Sequence, residues 1–298
     1  MQIAYNSRMV KKAILCLTFL AGFALADAVA SRAASAGPGE VLFSEDFKRP
    51  NGLITNEYAF WNPDEPDSVI SLFWELDSGS FFAEDGAGWT GVPDDKTPNA
   101  TSTNGTNSAV FRLSTKRADF TNVTVSFSLL NQGLSSSPST PPVDWDGLHI
   151  WLRYQNEYNL YYASINRRDN TVVVKKKVPG GSSNGGTYYQ LSSSVRYVVP
   201  YNMWQEVTAT VNDNKDGSVT IRLYSGKNML VEATDDGSLG GPPLRGSGKV
   251  GLRGDNANLK FKNFRVTALP GTGLPGTGVA ETPEIRLSKP ETKPTPAP

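Results

Sequence analysis

Between residues 40 and 266 the chain holds no convincing helix, and this constrains its fold more than any other feature. A helix that packs on a core repeats apolar residues every three or four positions. Here the apolar residues come in short runs rich in β-branched and aromatic types, cut by Gly, Asn, Asp and Pro. The runs predict strands at 41–47, 73–76, 80–83, 109–113, 121–129, 147–154, 158–166, 171–178, 188–191, 204–212, 218–225, 229–233, 249–253 and 258–267. Short strands at regular spacing, separated by turn residues, predict an all-β sandwich of two antiparallel sheets. Asn214-Lys215-Asp216-Gly217 predicts a hairpin turn, because Gly takes a positive φ cheaply. Between Phe261 and Phe264 the alternation slips by one residue, which predicts a β-bulge.

One stretch, 144–168, concentrates rare side chains. It holds the single histidine of the chain, two of its six tryptophans and four of its eleven tyrosines. Leu148, Ile150, Leu152 and Tyr154 alternate with His149, Trp151 and Arg153. A period of two gives a strand two different faces. The first set predicts a core face. The second carries an imidazole, an indole and a guanidinium in a row, which suits a ligand more than plain solvent. Tyr158 to Asn166 reads as the partner strand, and Lys175 and Lys177 share a face of the next one. Two polar loops flank these strands. Residues 86–108 contain Trp89, and residues 131–143 lead into Trp145.

The chain ends read differently. Arg8, Lys11 and Lys12 precede an apolar run at 13–25, followed by small residues spaced for cleavage after Ala26, or after Ala30. The run is too short for a membrane span of about 20 residues. A signal peptide at 1–26, a short linker at 27–39, a sandwich at 40–268 and a disordered tail at 269–298 follow. Cys16, the single cysteine, leaves with the signal, so neither disulfides nor thiol chemistry are expected in the exported chain. An exported domain of this size without disulfides points to a bacterial protein, secreted and at most associated with the cell envelope. Formal charge is zero; removing the three leader cations leaves 26 basic against 29 acidic residues. That gives no electrostatic reason to expect nucleic acid. The tail repeats Leu-Pro-Gly-Thr-Gly at 269–273 and 274–278, which reads as a linker. Each copy also matches the pattern cut by cell-wall sortases, but without the following apolar segment.

Three stretches carry a resemblance. They are Trp204-Gln205-Glu206-Val207-Thr208 with the hairpin into 219–224, the segment Gly248-Lys249-Val250-Gly251-Leu252-Arg253-Gly254, and Phe261-Lys262-Asn263-Phe264-Arg265-Val266. Together they resemble the concanavalin A-like lectin/glucanase superfamily. The nearer likeness is to its laminin G-like and 3-keto-glycoside-hydrolase-like bacterial jelly rolls. The resemblance implies that the strand near Phe43 pairs with the last strand. It also implies a structural calcium ion, with Glu45, Asp46 and Asp255 as candidate ligands. A fold of this kind hosts lectins, hydrolases, lyases and adhesion modules, so it does not choose an activity.

Known chemistries of that superfamily can be tested on the residues. Laminarinase-type hydrolases place two glutamates around an aspartate on one strand, as nucleophile and acid. Glu75-Leu76-Asp77 begins that pattern, but Ser78, Gly79 and Ser80 follow and the second glutamate is missing. Glu75 and Asp77 therefore read as surface strand residues. A uronate lyase needs a cation for the substrate carboxylate and a base for the C5 proton. His149, Arg153 and Tyr162 are the candidates, although Phe111-Arg112-Leu113 and Leu148-His149-Ile150 only loosely echo the motifs of alginate lyases. With one histidine and no exported cysteine, zinc is not expected, and no cofactor is required. Asn212 to Gly217 begins like an EF-hand loop, but Leu223 stands where the bidentate glutamate belongs.

Carbohydrate binding asks for less: aromatic faces for sugar C–H groups and polar groups for hydroxyls. Trp151, Arg153, His149, Trp89, Trp145, Tyr162, Lys175 and Lys177 form the expected ligand set. The leading expectation is thus a monomeric, secreted polysaccharide- or glycan-binding domain that uses its concave sheet. An enzyme acting on an acidic glycan, lyase or hydrolase, and a non-catalytic cell-envelope adhesion module remain open.

Overall fold

The computed structural model describes residues 37–91 and 109–269. The expected leader, most of the Pro/Gly/Thr-rich tail and the greater part of the 86–108 loop lie outside the described residues. In chain order the elements are β1 (Val41–Glu45), β2 (Gly52–Asn56), α1 (Tyr58–Trp61), β3 (Trp74–Ser78), β4 (Ser80–Glu84), β5 (Ala87–Trp89), β6 (Val110–Thr115), β7 (Val123–Leu134) and β8 (Gly147–Asn156). They continue with β9 (Asn159–Ile165), β10 (Thr171–Ser183), β11 (Gly186–Gln190), β12 (Val195–Arg196), β13 (Trp204–Asp213), β14 (Val219–Ser225), β15 (Asn228–Asp235), β16 (Lys249–Asp255) and β17 (Ala257–Ala268).

Two antiparallel sheets face each other. The first runs β15-β14-β13-β7-β17-β5-β4-β2, with β1 also paired to β17. The second runs β11-β10-β9-β8-β16-β6-β3, with β12 also paired to β10. The inward residues of both sheets form one core, in which Phe43, Trp74 and Phe264 pack edge to face at centroid distances of 5.1–6.1 Å. Among the described residues no helix is long and apolar enough to cross a membrane.

Several sequence expectations are met in detail. Phe43 pairs with Val266, joining the first strand to the last. Gly217, at φ +91°, closes the turn between β13 and β14 by donating its N–H to the Asn214 carbonyl. The slip at 261–264 is a bulge: the β17–β7 register shifts between Lys262 and Arg265, with Asn263 at φ +54°. Elsewhere the strand boundaries differ. β5 falls where a loop was expected, because three residues suffice when both neighbours hold them. Gly88 is required there: a Cβ would stand 2.5 Å from Phe81 and 2.9 Å from Phe47.

The strongest departure is in β8. Its register against β16 shifts so that Trp151 faces Gly251 and Tyr154 faces Lys249. Leu152 and Arg153 therefore share the space opposite Val250, a bulge in which Arg153 adopts φ +48°. The alternation expected from sequence breaks at this point. Arg153 leaves the His149 face, and Tyr154 joins it.

Arg153 is wholly buried and links the sheets. Its guanidinium donates to Asp213 Oδ1 at 2.8 Å, to the Leu244 carbonyl at 2.9 Å and to Asn122 Oδ1 at 2.9 Å. Beside it, Lys176 pairs with Asp235 at 2.8 Å, and the Tyr161 hydroxyl donates to the same carboxylate. Breaking one partner of a buried pair leaves an uncompensated charge. Arg153→Met is expected to destabilise the fold by about 3–5 kcal/mol in urea titrations; a loss below 1 kcal/mol would contradict the linking role.

Candidate functional site

The outer face of the second sheet carries two neighbouring rows of side chains set by the ladder. In one, Arg112, Arg253, His149 and Ser164 pair in turn from β6 to β9. In the next, Glu75, Ser114, Gly251, Trp151, Tyr162, Lys175 and Gln190 pair from β3 to β11. Gly251 is where the row needs no side chain, since a Cβ would stand 2.3 Å from the Leu113 carbonyl oxygen and 3.1 Å from the Trp151 ring. The indole therefore lies close over β16.

Trp151, Leu160 and Tyr162 form an apolar cluster separate from the core, with Tyr154 and Tyr188 packed against it. Trp151 and Tyr154 stack at 4.8 Å with ring planes 17° apart. Tyr162 meets Tyr188 edge to face at 5.3 Å, and the His149 ring lies 5.1 Å from Tyr162. The β10–β11 hairpin rises beside them. A cleft of about 380 Å³ opens there, walled by Trp145, Trp151, Tyr162 and Tyr188 and by Ser182 to Asn184 of the hairpin, with His149, Lys175 and Arg253 also lining it. A smaller cavity of about 40 Å³ adjoins it and is lined by Asp77, Arg112, Tyr154, Glu157 and Lys177, among others.

His149 sits in a hydrogen-bonded chain. Its Nε2 lies 3.3 Å from Asp255 Oδ2, and its Nδ1 lies 2.8 Å from Ser164 Oγ. Arg253 grips the same Asp255 through Nε at 2.7 Å and Nη2 at 3.1 Å. Burial alone would raise the Asp255 carboxyl, but the Arg253 charge and the His149 and Arg253 hydrogen bonds hold it well below the usual carboxylate range. Burial pushes His149 below its ordinary value of 6.5; the Asp255 hydrogen bond opposes this without reversing it. The neutral ring then donates from Nε2 to the ionised Asp255 and accepts the Ser164 hydroxyl proton at Nδ1. This resembles a nucleophilic triad in composition, but Ser164 is 0% exposed and cannot reach a substrate.

The structure sorts the expected ligand residues. His149, Trp151, Trp145, Tyr162 and Lys175 meet around the cleft, and Lys177 lies in the adjoining cavity. Arg153 does not join them, because the β8 bulge turns it into the interior. Trp89 does not join them either. It belongs to β5 in the first sheet, where its Nε1 donates to Asn258 Oδ1 at 2.8 Å. Glu75 and Asp77 are not simple surface residues. Glu75 pairs with Lys249 at 2.6 Å, and burial raises Asp77, whose Oδ1 has no hydrogen bond among the described residues. Arg253, Tyr188 and Tyr154 went unread as site residues. Arg253 and Asp255 alternate on one strand in the same period of two that exposed His149 and Trp151, so that signal was available.

The calcium candidates are divided. Glu45 lies in β1 and accepts hydrogen bonds from Arg49 and the Phe47 N–H, while Asp46 caps the Lys48 N–H. Asp255 belongs to the other sheet and is engaged by Arg253 and His149. Among the described residues no group of three His, Cys, Asp or Glu is placed to hold a metal ion. These donors do not fit the ion that the resemblance implied.

The sequence matches no family model and no curated protein. Solved structures do match. A Bacillus subtilis protein with a galectin-like fold superimposes with a TM-score of 0.50 at 12% identity, over 78% of this chain and 97% of that one. This chain has the galectin-like, concanavalin A-type jelly-roll fold. Two further matches are the carbohydrate-binding module CBM66 from Bacillus subtilis and LamAcat from Zobellia galactanivorans. The first has a TM-score of 0.44 at 9% identity, over 65% of this chain and 95% of that one. The second has a TM-score of 0.47 at 11% identity, over 76% and 97%. At such identities the likeness concerns the fold, and the site must speak through its own residues.

Because His149 is the sole histidine, it alone among the side chains ordinarily titrates between pH 5 and 7. Its folded pKa is depressed, so below 6.5 the unfolded chain takes up a proton that the folded chain refuses. Stability is expected to fall as pH drops from 6.5 toward 5, with a slope of up to about 1.4 kcal/mol per pH unit. His149→Gln should flatten this slope in denaturant titrations. An unchanged slope would place the proton uptake elsewhere.

Proposed function

We propose that this chain is a secreted carbohydrate-binding domain that takes a polysaccharide or glycan along the outer face of its second sheet. The observation that carries this reading is the aromatic wall of the cleft. A sheet face normally buries its large rings against another layer. Here Trp151, Tyr162 and Tyr188 gather on the side away from the core and line an open cleft, and Trp145 is 51% exposed at its edge. Sugar rings offer apolar C–H faces to such surfaces, and Asn184, Lys175 and Arg253 stand where hydroxyl groups would need partners. The cleft volume of about 380 Å³ falls within the ordinary range for small-ligand pockets.

His149 orients the site in this reading and performs no chemistry. Both of its ring nitrogens are engaged, and its neutral form is favoured by burial. Export through the leader at 1–26 completes the reading; the mature protein would begin at Asp27, or at Ser31 with the later cleavage.

Affinity electrophoresis in gels containing neutral or acidic polysaccharides tests the proposal. Retardation on at least one polymer is expected, and Trp145→Ala should weaken it by about tenfold, the loss of roughly 1.4 kcal/mol of ring contact. Trp145 is half exposed, so the variant should keep the wild-type melting temperature. No retardation on any polymer would overturn the reading. So would a rise in ultraviolet absorbance from an unsaturated uronate product that His149→Ala abolishes, since that would make the domain a lyase.

A further inference from the structure

The cleft has a sign. Among the described residues its lining includes Lys175 and Arg253 and no carboxylate, although the whole chain is formally neutral. Asp255 lies next to it but is already held by Arg253 and His149. In the adjoining cavity Lys177, Arg112 and Arg253 face Asp77 and Glu157, so the cations outnumber the acids there too. Burial favours the neutral form of Asp77, which weakens the negative side further.

Lys175 is the less satisfied of the two cations that line the larger cleft. Among the described residues it makes neither a hydrogen bond nor an ion pair, yet it is only partly exposed and points into the aromatic cleft. Its neighbours in sequence are treated differently. Lys176 is fully buried on the core side and paired with Asp235. Lys177 lies over the rings of Tyr158 and Tyr188 at 5.4 and 5.2 Å. Asp169 acts on the Lys175 ammonium without pairing with it; an ammonium partly kept from water and unpaired is costly, and a ligand anion lowers that cost. Arg253 adds a second donor. Asp255 fixes Nε and Nη2, while Nη1 has only a 3.5 Å contact with the Tyr188 hydroxyl among the described residues.

Resting on the glycan-binding reading, we propose that the cleft selects an acidic polysaccharide, whose carboxylate or sulfate group is bound by Lys175 with Arg253 as the second donor. The sugar faces pack on the half-exposed Trp145 and on Tyr188, beside the rims of the buried Trp151 and Tyr162, and the anionic substituent sets which polymer is accepted. Burial and the nearby Arg167 charge depress the Lys175 pKa, with Asp169 opposing them in part, and an arriving anion relieves this further. The preference for acidic polymers should weaken as salt screens the site.

The test compares polygalacturonate and alginate, which carry carboxylates, with chondroitin sulfate and carrageenan, which carry sulfates, and with dextran and laminarin, which are neutral. Each is used in affinity electrophoresis of the full chain at low and high salt. The expected result is retardation by one or both acidic classes and none by the neutral polymers. Lys175→Met should weaken binding by about tenfold or more, while Lys175→Arg stays near wild type. Matching thermal melts would show that the variants fold. The carboxylate and sulfate arms distinguish the two sources of charge. Equal retardation by neutral polymers, or acidic retardation unchanged in Lys175→Met, would overturn this inference while leaving carbohydrate binding in place. No retardation by any polymer would overturn both.

Discussion

The buried guanidinium of Arg153 governs the architecture around the site. A charge in a dry interior persists only with partners in good geometry, and Arg153 has Asp213 from the opposite sheet, a carbonyl from the 241–245 loop and the Asn122 amide. To reach them the backbone of β8 must bulge, with Arg153 left-handed and the ladder shifted by one residue. Lys176 and Tyr161 converge on Asp235 beside it, and Lys176 also holds the Gly241 carbonyl. These pairs add less net stability than their number suggests, because desolvation offsets most of the attraction. Their effect is to join the two sheets and the 241–245 loop in one register.

That register decides what stands on the other side of the sheet. With Arg153 turned inward, Tyr154 moves outward and stacks on Trp151. The outer face then carries an apolar cluster with no layer packed over it among the described residues, bordered by lysines and by the His149–Asp255–Arg253 chain. The hydrogen-bonded chain stiffens the floor of the cleft, while the exposed Trp145 and the Ser182–Asn184 hairpin form its rim. The inner polar network and the outer aromatic face are thus two consequences of one irregular strand.

Much of the fold was legible because strands advertise themselves by a period of two. Phe43 against Val266, the turn at Gly217 and the bulge at Asn263 were all readable from local pattern. The cleft was partly legible: His149, Trp151, Trp145, Tyr162 and Lys175 were read as one site and meet in space. Arg153 and Trp89 were misplaced for different reasons. Nothing local marks Arg153 as the residue that turns inward, since its partners lie 31, 60 and 91 positions away. Trp89 was read as part of a long loop, whereas Ala87–Trp89 is a short strand held by β4 and β17. Arg253 was missed although its alternation with Asp255 was readable, and Tyr188 because its strand looks ordinary until the neighbouring strands are known.

By itself the sequence determined that this chain forms a β-sandwich, since its alternating apolar residues can be buried only by pairing strands into two facing sheets. It also determined that one strand pair would concentrate an imidazole, indoles and phenols. Tertiary structure decided which of those side chains share a face. A single extra residue in a strand reverses the direction of everything after it, and the partners that hold Arg153, chief among them the buried carboxylate of Asp213 across the sandwich, specify where that residue falls.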